Sequence, residues 1–165
     1  MNRHYDSKGY ASRVERLRER FPDMSLTTDI IVGFPGETEE EFEETMKFAE
    51  QMGFARIHVF PYSLRKGTKA AEMEQVDPAV KKQREARLLA LASDLSAKFA
   101  NAMTGREESV LVEKVTGTKA SGYTENYVRA EVEFASEAAL PKPGDIIRGT
   151  VTGTNGAELV LKTGL

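Results

Sequence analysis

Cysteine is absent from these 165 residues. That excludes disulfides, thiolate-held zinc and cysteine-ligated iron–sulfur clusters within the chain. Histidine is scarce too. Of the two present, His58 lies inside an apolar run with no second histidine or acid at ligand spacing, so it reads as a structural residue, and no metal site is expected. No apolar run approaches the ~18 residues that a membrane span needs. The opening Met1-Asn2-Arg3-His4-Tyr5 lacks the apolar stretch of a secretory signal. Both absences point to a soluble, cytoplasmic protein with no membrane partner. An excess of positive charge is also missing: the net charge is −3, so any contact with nucleic acid must use a local patch.

What remains is an ordinary globular composition, 40% hydrophobic and 30% charged, sufficient for one good-sized domain or two small ones. Tyr10, Val14, Leu17 and Phe21 recur at helical spacing, which predicts an amphipathic helix over residues 7–21. Residues 25–33 are β-branched, apolar and continuous, as expected of a strand buried on both faces. Thr38 caps the next helix, with Glu41 completing a capping box. Its buried stripe is Phe42, Met46, Ala49 and Met52, and Gly53 ends it. Residues 55–62 form a second strand, so the unit reads as βαβ with parallel strands. A loop over 64–76 and the start signal Asp77-Pro78 precede a long helix to about residue 103, striped by Leu88, Leu91, Leu95, Phe99 and Met103.

From there the pattern changes to short β runs: 109–115, 127–134, 145–152 and 157–162. Thr116-Gly117, Ser121-Gly122, Pro141-Lys142-Pro143-Gly144 and Asn155-Gly156 read as the turns between them. Asn155-Gly156 is the strongest hairpin signal. The expected fold is therefore α/β plus all-β. A parallel βαβ unit with a long helix fills residues 1–103, and a small closed β-barrel fills 104–165.

Three segments hold residues suited to chemistry. Gly33-Phe34-Pro35-Gly36-Glu37-Thr38 is a strand-to-helix turn where glycines would let a ligand approach the backbone. Glu39, Glu40 and Glu41 already satisfy the positive helix end, which argues against a phosphate there. Beyond the second strand, Arg65 has the fork geometry for a phosphate or carboxylate, and Tyr62 is placed to stack on a base or position a proton. A surface turn with a solvated arginine is the plainer reading. In the β region, Tyr123, Asn126, Tyr127 and Arg129 combine aromatics with a cation, the combination that stacks and clamps single-stranded RNA. Residues 104–165 nonetheless net −2.

Together, Met1-Asn2-Arg3, Asp29-Ile30-Ile31-Val32-Gly33-Phe34-Pro35-Gly36-Glu37-Thr38 and Tyr62-Ser63-x-Arg65-x-Gly67-Thr68-x-Ala70 resemble the methylthiotransferase family of radical S-adenosylmethionine (SAM) enzymes. The C-terminal segment resembles a TRAM domain. The run His58-Val59-Phe60-Pro61-Tyr62-Ser63 is most similar to the branch that methylthiolates threonylcarbamoyl-adenosine beside the tRNA anticodon. The isopentenyl-adenosine and ribosomal-protein branches are near alternatives, and a non-catalytic RNA-binding module is a third reading. The resemblance implies the C-terminal part of a radical SAM (β/α) barrel followed by an OB-like RNA-binding barrel. It implies SAM and iron–sulfur clusters in the parent protein, and the tRNA anticodon stem-loop as partner. Ile31, Gly33, Val59, Phe60 and Pro61 would then border the SAM adenine, Tyr62 and Arg65 would face the substrate cavity, and Gly122, Tyr123, Asn126, Tyr127 and Arg129 would contact RNA. Which residues would be catalytic stays unknown: none can be assigned a catalytic proton or radical role from the sequence. The family's CxxxCxxC motif is missing, so the chain is expected to be a C-terminal fragment, inactive alone, that self-associates through exposed strand edges.

Overall fold

Residues 5–136 and 140–163 are described in the computed structural model, and the Met1-Asn2-Arg3 motif lies outside them. Two compact units are present, residues 1–95 and 96–165. In the first, Asp6 opens helix α1 (Ser7–Arg20), its carboxylate accepting from the Gly9 N–H at 2.7 Å. Strand β1 (Thr27–Val32) leads through the Gly33–Glu37 turn into α2 (Glu39–Met52), and β2 (Arg56–Pro61) follows. Thr38 and Glu41 form the expected capping box, with mutual bonds of 3.2 and 2.9 Å. Gly53 ends α2 at φ 56°, a left-handed conformation that glycine adopts without steric cost. Arg18 of α1 also closes that end, donating to the Met52 and Gly53 carbonyls. A short helix α3 (Lys69–Glu72) interrupts what reads in the sequence as a continuous loop, and α4 (Pro78–Asn101) follows.

β1 and β2 pair in parallel, with Asp29 opposite His58, Ile31 opposite Phe60 and Val32 opposite Pro61. Ile30, Val32, Ile57 and Val59 pack into a core with Val14, Phe42, Ala49, Met52, Phe54 and Leu88. The other face of the sheet, carrying Asp29, Ile31, His58 and Phe60, is exposed. This corrects the expectation of a strand buried on both faces: helices cover one side of the pair only. Leu17 and Phe21 depart from their predicted stripe in the same way, at 45% and 57% exposed. The core-facing arc of α1 is held by Tyr10, Ala11 and Val14 instead.

The second unit is a closed five-stranded barrel in the order β3-β4-β5-β7-β6. Its strands are β3 (Glu107–Thr116), β4 (Lys119–Thr124), β5 (Arg129–Glu133), β6 (Ile146–Asn155) and β7 (Glu158–Lys162). Inward residues alternate with outward ones, as the pleat requires: Val110 and Val112, Ala120, Ala130 and Val132, Val151, Leu159 and Leu161 are all buried. Phe99, Ala100 and Met103 pack with this core. The Asn155-Gly156 hairpin forms between β6 and β7 as expected. Ser121-Gly122 does not form a turn. It lies inside β4, where the register against β3 shifts between Val112 and Lys114. A Cβ on Gly122 would stand 1.8 Å from the Leu111 carbonyl oxygen, so glycine is there because two backbones approach closely. Among the described residues, no helix is long and apolar enough to cross a membrane.

A charged network fixes the β1–α2 turn to α4. One oxygen of the Glu37 carboxylate accepts from the Gly33 N–H and from Arg84, each at 2.7 Å. Arg84, which is buried, also donates to the Glu37 carbonyl at 3.1 Å and to Glu39. Arg87 binds Glu39 at 2.7 Å and pairs with Glu43. Both guanidinium groups lie over the Phe42 ring, 5.5 and 4.9 Å from its centre. Hydrogen bonding from Arg87, then from Arg84, lowers the Glu39 pKa below its ordinary value.

Arg84→Ala leaves the half-buried Glu37 carboxylate without its cation, and is expected to cost about 3–5 kcal/mol of first-unit stability in urea unfolding. The lowered Glu39 pKa gives a defined sign for acid stability. Its contribution is fully present above the ordinary value of 4.5 and is lost as pH falls through the lower folded value. Thermal unfolding across that window should therefore fall more steeply in the wild type than in Glu39→Gln.

Candidate functional site

The carboxyl edge of the parallel pair is the natural place for a ligand in an α/β unit. A cleft of about 640 Å³ opens there, lined by Asp29, Ile31, Phe34, Phe60, Pro61, Tyr62, Ser63, Arg65, Thr68 and Ala70. The ladder brings these residues together: Ile31 and Phe60 are register partners on the open sheet face. The Tyr62 N–H bonds the Val32 carbonyl at 2.8 Å, which continues the pairing past β2. The Thr68 hydroxyl donates to the Arg65 carbonyl at 2.8 Å and holds the following turn. Tyr62 packs edge-on against Phe34, with ring centres 5.3 Å apart. Among the described residues, its phenol oxygen is buried with no hydrogen-bond partner. An orphaned buried hydroxyl costs about 1–3 kcal/mol.

Of the residues expected to border an adenine, Ile31, Phe60 and Pro61 line this cleft together with Tyr62 and Arg65. Val59 lies on the opposite face, packed on the core. Gly33 does not open toward the cleft. Its N–H is held by Glu37, and a Cβ there would fall 2.2 Å from Lys81 Cγ. The glycine therefore admits the α4 lysine, whose Nζ lies 5.9 Å from the Tyr62 ring centre. The apolar pair Ile31 and Phe60 suits the flat face of a purine. An iron–sulfur cluster is a different matter: with no cysteine in the sequence, this chain has no thiolate set to hold one, and the residues do not fit that group.

The second candidate surface is on the barrel. Cross-strand register aligns Ile146, Leu111, Tyr123 and Arg129 in one row over β6, β3, β4 and β5. Directly opposed side chains on one face come within contact range. All four point outward, Ile146 at 71% exposed. Beside them, Tyr127 is 82% exposed and adopts φ 61°, the sole positive φ among described non-glycine residues. The turn that presents it is tightly held. The Thr124 hydroxyl accepts from the Val128 N–H at 3.0 Å and donates to Asn126 Oδ1 at 2.6 Å, and the Tyr127 N–H bonds the Thr124 carbonyl at 2.9 Å. An exposed aromatic in a strained backbone, fixed by its neighbours, is typical of a binding element.

Among the expected RNA residues, Tyr123, Tyr127 and Arg129 lie on this surface, Asn126 anchors the turn, and buried Gly122 presents no side chain. Arg129 bonds Glu158 at 3.0 Å, and that bond, followed by one involving Tyr123, raises its pKa. Leu111 and Ile146 were missed by sequence reasoning. Strand alternation marks each as outward-facing, but only register places them beside Tyr123.

Comparison with known proteins identifies the architecture. The radical SAM superfamily model matches residues 1–49. The chain is 42% identical over 135 residues to the threonylcarbamoyladenosine tRNA methylthiotransferase MtaB of Bacillus subtilis, covering 78% of the chain and 30% of that protein. It is 40% identical over 171 residues to the tRNA-2-methylthio-N(6)-dimethylallyladenosine synthase of Thermobifida fusca, covering all of the chain and 35% of that protein. The synthase of the same name from Caldicellulosiruptor saccharolyticus is 46% identical over 114 residues, 68% of this chain and 24% of its own. The chain thus spans about a third of the length of the curated relatives it matches. With the parallel βαβ unit, the cleft at its carboxyl edge and the closed barrel in one polypeptide, the chain belongs to the radical SAM methylthiotransferase family.

Proposed function

We propose that this chain forms part of a tRNA methylthiotransferase, a transferase that adds a methylthio group to a modified adenosine beside the anticodon. In this reading the Ile31–Phe60 face receives the adenine of SAM, which supplies the radical that activates the base. Tyr62 offers its unpartnered hydroxyl, and Arg65 its fork, to the substrate. The barrel over residues 104–165 holds the RNA. Cluster ligands come from polypeptide other than these 165 residues, because no cysteine is available here. The protein works in the cytoplasm. The free edges of the β1–β2 pair favour self-association when the chain is alone.

One observation carries the reading: the outward row Ile146–Leu111–Tyr123–Arg129 with Tyr127 beside it. Bases stack on such surfaces whatever their sequence, for about 1–3 kcal/mol each. Threonylcarbamoyl-adenosine is the favoured substrate, by the likeness of residues 58–63 to that branch. The dimethylallyl-adenosine and ribosomal-protein branches are its competitors. The absence of cysteine favours a second reading, in which the chain alone is an RNA-binding module without turnover.

Tyr127→Gly separates binding from folding. Glycine relieves a left-handed backbone that costs roughly 1–2 kcal/mol in other residues and gives back part of that as chain entropy. Thermal unfolding should therefore show equal or higher stability. Affinity for a fluorescent single-stranded RNA should meanwhile fall by about 1–3 kcal/mol; unchanged affinity refutes the barrel as the RNA surface. Incubation of the chain with iron, sulfide and SAM should give no thiolate-to-iron charge-transfer absorbance and no methylthiolated tRNA. A cluster spectrum would overturn the cysteine argument.

A further inference from the structure

We propose that α1 carries a second RNA contact, a phosphate-binding face built from Arg13, Arg16 and Arg20 with Phe21 at its end. This surface rests on the tRNA reading above and adds to it. Helix α1 holds five basic residues against two acidic ones, a local +3 in a chain of net −3. Arg18 is used internally, donating to the Met52 and Gly53 carbonyls. Arg13, Arg16 and Arg20 are exposed, and among the described residues none of them forms an ion pair or hydrogen bond through its side chain. With Leu17 and Phe21 they line an open cleft of about 500 Å³.

Their spacing puts them on one arc. At 100° per residue, positions 13, 16, 17, 20 and 21 fall within about 140°, and the three arginines span about 10 Å along the axis. Glu15 and Glu19 lie on the adjoining arc, away from Leu17. Arginine is the cation best matched to phosphate: its planar fork donates two parallel bonds and is weakly hydrated. An acidic peptide would satisfy the same charges. The exposed Phe21 ring favours RNA, because unpaired bases stack on aromatic faces beside arginine. So does the barrel: residues 104–165 net −2, and Arg129, the one cation in its apolar row, is engaged by Glu158. Base stacking can come from the barrel, whose acidic side chains outnumber its cations, and α1 adds three arginines on one arc to neutralise the phosphate backbone.

The test is fluorescence anisotropy of the 165-residue chain with a labelled anticodon-type RNA stem-loop, across a salt series. The triple variant Arg13→Gln, Arg16→Gln, Arg20→Gln should weaken binding about tenfold or more at low salt. It should also flatten the log–log salt slope by about 2–3, one ion-release unit per lost phosphate contact. Arg→Lys at the same three positions should keep most of the slope, and Phe21→Ala should lower affinity while leaving the slope unchanged. The three arginines are exposed and make no internal bond, so far-UV circular dichroism and thermal unfolding should match the wild type; Arg13→Gln alone, flattening the slope by about 1, is the second probe. A triple variant that keeps wild-type RNA affinity and slope overturns this proposal, as does one that loses binding only to polyglutamate. If Tyr127→Gly weakens RNA binding and the triple variant does not, the α1 face fails and the tRNA reading stands. If the wild type binds no RNA at low salt, both fail.

Discussion

One carboxylate oxygen organises the first unit. Glu37 Oε2 accepts the Gly33 N–H at the end of β1 and the Arg84 guanidinium from α4, each at 2.7 Å. The strand end, the turn and the long helix are thus tied at a single point. A buried cation tolerates little freedom in its partners, because the cost of desolvating it is recovered only in good geometry. Arg84 finds that geometry three times over, in the Glu37 carboxylate, the Glu37 carbonyl and Glu39. The Phe42 ring beneath completes its surroundings. From the same helix, Lys81 crosses Gly33 so closely that only glycine leaves it room.

The barrel solves a different problem with simpler means. The pleat sends Val110, Val112, Ala120, Ala130 and Val132 inward, and the same alternation forces Leu111, Tyr123 and Arg129 outward. Apolar side chains on the outside are a by-product of none of this; they are extra, and Ile146 and Tyr127 are among the most exposed large hydrophobic residues described. A fold that closes its edges has no structural need for them. Their alignment in one row is what turns ordinary surface residues into a platform.

Much of this architecture could be read from local chemistry. Thr38 with Glu41, Gly53, Asp77-Pro78 and Asn155-Gly156 act within a few residues of themselves, so their signals survive in the sequence. Gly122 misled because glycine has two uses. It serves turns, and it serves places where another backbone comes close; only the distant Leu111 carbonyl separates the two. Leu17 and Phe21 had the right periodicity but lie outside the arc that α2 and β1 cover. The α1 helix has more apolar positions than its core face requires. Of the candidate site, Tyr62 and Arg65 are legible as residues just past a strand end, whereas Ile31, Phe60 and Pro61 enter only through the family resemblance. Val59 was assigned with them although pleating sends it to the other side. The Arg84–Glu37 tie bridges 47 positions, and no local pattern announces such a pairing.

The parallel pairing of β5 with β7 has a temporal consequence. Strand β7 (Glu158–Lys162) fits between β5 and β6, so the circle of hydrogen bonds remains open until the last described strand has been synthesised. The β1–β2 pair meets no such delay, because β2 ends at Pro61, well before the barrel strands begin. During vectorial synthesis the barrel therefore waits as an open sheet with unsatisfied rims at β5 and β6. Loss of even those five residues would leave two rims exposed instead of none.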